Sequence, residues 1–112
     1  MTVEIIGDRD FIHVVQEQDG VWVLIAGQEL YALSVEGGRG LPVWSSAEKA
    51  ESFAKNLNKS ELSPVFVPMN NFLGAAWLGS LSLQIVDVLA SPRYGQEFLT
   101  YTVDELRARL KT

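Results

Sequence analysis

The chain has no cysteine, so a disulfide framework, a thiolate metal site and a cysteine nucleophile are all excluded, and stability must come from packing. Basic residues are a minority. Nine Lys and Arg stand against fourteen Asp and Glu, and the net charge of -5 repels phosphate backbones and anionic membranes unless the cations cluster, which they do not. Neither nucleic acid nor a membrane is therefore expected as a partner. No uninterrupted apolar run reaches the roughly 18 residues of a membrane span, and the opening Met1-Thr2-Val3-Glu4 lacks the basic and apolar regions of a signal peptide. The cytoplasm is the expected setting, and the glycosylation pattern Asn58-Lys59-Ser60 then has no route to modification.

What is present is ordinary globular material. A hydrophobic fraction of 47% with 21% charged residues and no long run of like charge predicts one folded domain over residues 1–112. Asp8 can cap a first helix whose apolar positions Phe11, Val14 and Val15 recur at helical spacing, with Gly20 as its stop. Val21 to Ala26 is apolar on both faces and reads as a strand. Gly27-Gln28 makes a two-residue turn into an antiparallel return over Glu29 to Val35. Glu36-Gly37-Gly38-Arg39-Gly40 reads as a loop, and Leu41-Pro42-Val43-Trp44 as a short strand held at a sheet edge by its proline.

Ser45 with Glu48 has the spacing of a capping box, leading into a helix with the stripe Ala50, Phe53, Ala54 and Leu57. Leu62 to Val67 predicts a strand, and Pro68 opens a helix running through Phe72, Leu73, Trp77 and Leu81. Leu83 to Ala90 and Glu97 to Tyr101 predict paired strands around a turn at Ser91 to Gly95. Thr102 with Glu105 caps a last helix carrying Val103, Leu106 and Leu110. The order αβββαβαββα lacks regular βαβ alternation, which points to the α+β class, a mainly antiparallel sheet with about four helices against it.

Three stretches, Trp22-Val23-Leu24, Leu41-Pro42-Val43-Trp44 with Ala50 and Phe53 behind it, and Glu105-Leu106 to Leu110, give the chain a recognisable pattern. Along essentially its whole length it resembles the small bacterial family known as domain of unknown function 2750. A more distant likeness is to the N-terminal domain of SseB-like secretion-associated proteins. The resemblance implies an α+β fold and a bacterial, cytoplasmic protein, and carries no activity with it. The segment Gly74-Ala75-Ala76-Trp77-Leu78-Gly79 departs from the family pattern in having no charge.

Few constellations point to chemistry. Asp10, His13 and Glu17 share a helical face that can present imidazole and carboxylates to a metal, but exposed charges at this spacing are routine on amphipathic helices. Ser45 and Ser46 sit at a strand-to-helix turn without the glycines of a nucleophile elbow, far in sequence from the single His13. Gly37-Gly38-Arg39-Gly40 matches neither nucleotide fingerprint. Asp87 alternates with Leu83, Ile85 and Leu89, so as a buried carboxylate it needs a partner, for which Arg93 is the candidate. No catalytic residue, metal ligand or cofactor site is assigned.

The leading expectation is a non-enzymatic protein-binding or regulatory module. Its interaction surface is placed at Phe72, Leu73, Trp77 and Leu78, with an unidentified protein or a second copy in a homodimer as partner. The alternative is a small-molecule binding protein with an apolar pocket lined by Trp22, Trp44, Asp87 and Arg93. A hydrolase of unfamiliar design ranks third.

Overall fold

Val21 and Val23 point one way from their strand, Trp22 and Leu24 the other, and a separate hydrophobic cluster takes up each pair. The computed structural model describes residues 11–57, 61–74, 77–78, 83–92 and 99–110. Among them the order is α1 (Phe11–Gln18), β1 (Gly20–Ala26), β2 (Glu29–Leu30), β3 (Leu33–Val35), β4 (Gly38–Val43), α2 (Ala47–Asn56), β5 (Ser63–Pro68), α3 (Met69–Phe72), β6 (Ile85–Ala90), β7 (Leu99–Thr102) and α4 (Val103–Leu110). The expected cap at Asp8, the Asn58 pattern, the turn residues from Arg93 to Gly95 and most of the continuation of the third helix lie outside the described residues.

The described strands form two small sheets, β2-β1-β5 and β3-β4-β6-β7, and among the described residues only β4 and β6 run parallel. This is a single compact α+β domain with a Cα radius of gyration of 13.4 Å, close to the value of about 13 Å typical of 100 residues. The larger cluster fills the space between the sheets, α1 and α4, with Phe11, Val15, Leu41, Val43, Phe72, Val88 and Leu106 essentially excluded from water. The smaller one lies under α2, where Leu24, Trp44, Ala50 and Ala54 pack with Phe53.

Several local expectations hold at atomic detail. Gly27 has φ 63 in the turn that pairs Ala26 with Glu29. At α4 the backbone N–H of Thr102 donates to Glu105 Oε1 and that of Glu105 to Thr102 Oγ1, each at 3.1 Å, a complete capping box. The box expected at α2 from Ser45 and Glu48 does not form: the N-cap is Ser46, one residue on, which accepts from the Lys49 N–H without a reciprocal bond, since Lys49 has no side-chain acceptor. Ser45 is drawn inward instead, its N–H donating to Ser91 Oγ and its Oγ accepting from Lys49 Nζ, both at 3.2 Å. Gly20 does not stop α1, because the left-handed residue is Asp19, with φ 57. Gly20 is required for a different reason: a Cβ there would lie 2.3 Å from the Phe66 ring.

The glycine-rich run is not a loop. Gly38, Arg39 and Gly40 belong to β4, which lies inside its sheet, so Pro42 does not hold an edge. Val43 O accepts from the Ser91 N–H at 2.6 Å, which aims the odd-numbered residues at β6. Pro42 therefore turns its missing N–H the other way, beyond the last β3 pair at Gly40 and before the bridge from Trp44 to Trp22, where no ladder bond is needed. The return over Glu29 to Val35 is also broken: β2 pairs with β1, while β3 crosses to the second sheet. The third helix ends after four residues at Phe72, and the described residues that follow, Leu73, Gly74, Trp77 and Leu78, lie in turns and a bend and not in a continued helix.

Candidate functional site

Arg39, Leu41 and Val43 alternate on one face of β4. Leu41 and Val43 are fully buried, but Arg39, at the same parity, is exposed, because the space between the sheets opens to solvent at that end. Ile85 is its register partner on β6, with Leu83 just before it, and Glu29, Leu30 and Ala32 approach from β2 and the link to β3. These six residues line a cleft of about 370 Å³. Its walls are aliphatic, and its charged members are one guanidinium and one carboxylate.

Backbone geometry fixes the wall that carries Leu83 and Ile85. Gln84 adopts φ 52, a left-handed conformation uncommon for a residue with a side chain, and the Arg39 N–H donates to its carbonyl at 2.9 Å. A Cβ on Gly38 would sit 2.4 Å from the same carbonyl oxygen, so only glycine allows this approach. One residue further the ladder shifts: Arg39 pairs with Ile85 but Gly40 with Asp87, leaving Val86 as an extra residue. Arg39 Nη1 also reaches the Leu83 carbonyl at 3.5 Å, a long contact that uses one of the five guanidinium donors. Glu29 and Arg39 do not close on each other as an ion pair.

The residues expected to form a site lie elsewhere. Phe72 is fully buried and Leu78 is 5% exposed, while Leu73 and Trp77 are half-buried against the same core, so this set is largely interior to the chain. The break in α3 explains it, since a chain that turns at Leu73 and Gly74 folds its apolar residues back inward. Trp44 is fully buried at the far end of β4 from the cleft, its Nε1 donating to the Pro92 carbonyl at 3.0 Å. Trp22 is half-buried, edge-on to Phe66 with ring centroids 5.4 Å apart. Neither tryptophan lines the cleft.

Asp87 is half-buried rather than buried. The extra residue reverses the alternation, so Ile85, Val88 and Ala90 share the core face and Asp87 falls with Leu89 on the opposite one. Arg93 lies outside the described residues, as does Asp10. His13 and Glu17 approach to 3.1 Å, with their side chains 73% and 69% exposed, and no group of three metal-ligating side chains occurs among the described residues. The sequence carried one usable signal for the cleft: Arg39 continues the period-two pattern of Leu41 and Val43, as a strand residue does and a loop residue need not.

Fold and cleft together define a small α+β domain of two linked sheets with an open, aliphatic, charge-bearing mouth between them. Over residues 9–110 the chain matches the family described as "Protein of unknown function (DUF2750)", and it belongs to that family. The likeness to SseB-like domains is not confirmed by this match. No curated protein matches the chain.

Proposed function

We propose that this protein is a non-enzymatic binding module of the bacterial cytoplasm that takes a small ligand into the cleft between β2 and the β4–β6 pair. The observation that carries this reading is the cleft itself. Its volume of about 370 Å³ falls within the roughly 300–1,000 Å³ of small-molecule sites, and its lining combines the aliphatic Leu30, Ala32, Leu83 and Ile85 with the charged Glu29 and Arg39. Support for a non-catalytic role comes from Ser45 and Ser46, which are engaged at the start of α2: Ser46 as its cap and Ser45 buried beside Lys49 and Ser91. The burial of Phe72 and Leu78 moves the reading away from a protein-docking surface at that segment and toward the small-molecule alternative.

The test is a screen of small metabolites by methyl-resolved nuclear magnetic resonance on wild type and on Ala32→Trp, a variant that fills the cleft. Ligands that move the Leu30, Leu83 and Ile85 methyl resonances of wild type but not of the variant support the reading. A screen in which nothing acts through these methyls overturns it.

A further inference from the structure

We infer that the ligand of this cleft is a zwitterion with a short aliphatic body, the chemistry of a free apolar amino acid; the inference rests on the binding reading above and narrows it. Two opposite charges line one cleft without neutralising each other. Glu29 stands on one wall and Arg39 on the other, with no ion pair between them. Oppositely charged residues that face the same space and are not paired with each other offer complementary sites to a molecule carrying both charges. The guanidinium fork suits a carboxylate, to which it can bond bidentately, and the Glu29 carboxylate suits an ammonium group. Between them the side chains of Leu30, Ala32, Leu83 and Ile85 are aliphatic, which fits an aliphatic ligand side chain.

The position of Arg39 strengthens the assignment. It occupies a parity whose other members, Leu41 and Val43, are core residues, so its side chain is directed toward the interior space and not away from it. The wall that Arg39 shares with Leu83 and Ile85 is pinned by the Gly38 approach and by the left-handed Gln84, so the base from which the guanidinium projects is fixed by backbone. Both charged residues are exposed, which places the expected affinity in the range of a sensor or carrier for an abundant metabolite and not of a tight cofactor site.

The experiment uses the full chain and three probes that share one isobutyl group: leucine, 4-methylpentanoate, which lacks the ammonium, and 3-methylbutylamine, which lacks the carboxylate. Methyl shifts of Leu30, Leu83 and Ile85 give each dissociation constant. Leucine is expected to bind at least about tenfold more tightly than either analogue, the order of one charge-assisted hydrogen bond. Arg39→Gln should weaken leucine and 4-methylpentanoate while leaving the amine unchanged. Glu29→Gln should weaken leucine and the amine while leaving the acid unchanged. Both substitutions are at exposed positions, and unchanged melting temperatures verify that each variant is folded. An analogue that binds as tightly as leucine, or leucine binding indifferent to both substitutions, overturns the zwitterion and leaves the cleft reading standing. Silence of all three probes also overturns the zwitterion, and the metabolite screen then decides whether the cleft reading falls with it.

Discussion

Trp22 and Trp44 exchange both of their backbone hydrogen bonds, Trp22 N–H to Trp44 O at 2.9 Å and Trp44 N–H to Trp22 O at 2.8 Å, and among the described residues this bridge is where the two sheets are hydrogen-bonded to each other. It sets the direction of every backbone group along β1 and β4. Trp22 faces Trp44, so its neighbours Val21 and Val23 face β5, and Trp44 faces Trp22, so Val43 faces β6. The cleft at the other end of β4 follows from the same pairing, because two sheets joined at one end of that strand diverge toward the other.

Trp44 is accordingly the residue whose loss should cost most. Trp44→Ala removes a fully buried indole and its bond to the Pro92 carbonyl, and is expected to destabilise the fold by about 3–5 kcal/mol in denaturant unfolding. Trp44→Phe keeps most of the volume but strands that carbonyl, at about 1–3 kcal/mol. A cost for the alanine variant below about 1 kcal/mol would show that the indole is not a packing element.

Gly38 and Gly27 separate close approach from backbone conformation. Gly38→Ala drives a Cβ into the Gln84 carbonyl, so it should cost about 1–3 kcal/mol and also shift the Leu83 and Ile85 methyl resonances as the cleft wall moves. Gly27→Ala meets nothing within 4 Å but must hold φ 63, so it should cost about 1–2 kcal/mol and leave those resonances in place. Unperturbed Leu83 and Ile85 in the Gly38 variant would contradict the proposed pinning.

The outer side of β5 pairs with no strand among the described residues, yet two prolines blunt it. Leu24 O accepts from the Tyr31 N–H and Trp22 bonds to Trp44, so the pairs Leu24 with Pro64 and Trp22 with Phe66 do not bond across β1 and β5, and the even-numbered residues of β5 face outward. Of Pro64, Phe66 and Pro68, only Phe66 then offers an N–H to a passing strand, although Val65 and Phe66 are 39% and 36% exposed. Pro64→Thr restores one donor and is expected to raise concentration-dependent association, measured by light scattering. Equal scattering of variant and wild type across a dilution series would show that the proline does not guard the edge.

Thr102 and Glu105 supply a pH-dependent increment. The Thr102 backbone N–H, then the Thr102 side chain and Arg109, hold the Glu105 carboxyl below its usual range, to which it returns in the unfolded chain, where these contacts are absent. A depressed folded value means that the contribution is fully present above the ordinary carboxylate range and is lost as pH falls through the folded value. The difference in stability between wild type and Glu105→Gln should therefore shrink on going from neutral pH to below about 4, the usual glutamate range. Thr102→Ala, which removes the reciprocal half of the box, should cost about 0.5–2 kcal/mol at neutral pH. A Glu105→Gln difference that is constant with pH would show that the charge plays no part in the cap.

What the sequence determined by itself is whatever a few neighbouring residues decide. The capping box at Thr102 and Glu105, the turn at Gly27, the stripe of Ala50, Phe53 and Ala54 and the strand character of Val21 to Ala26 all depend on contacts within a turn of helix or one hairpin, and periodicity displays them. The tertiary structure decided what depends on partners distant in the chain. Gly38 lies against Gln84, Arg39 against Ile85 and Trp44 against Trp22, and no local preference specifies these pairings. Glycine favours a loop when its neighbours are unknown, and becomes a strand residue only when another backbone must pass within reach of its Cα. That is why Gly38-Arg39-Gly40 read as a loop and proved to be the strand that carries Arg39 into the cleft, and why Phe72 and Leu78, expected on an interaction surface, are buried in a chain that turns after Phe72.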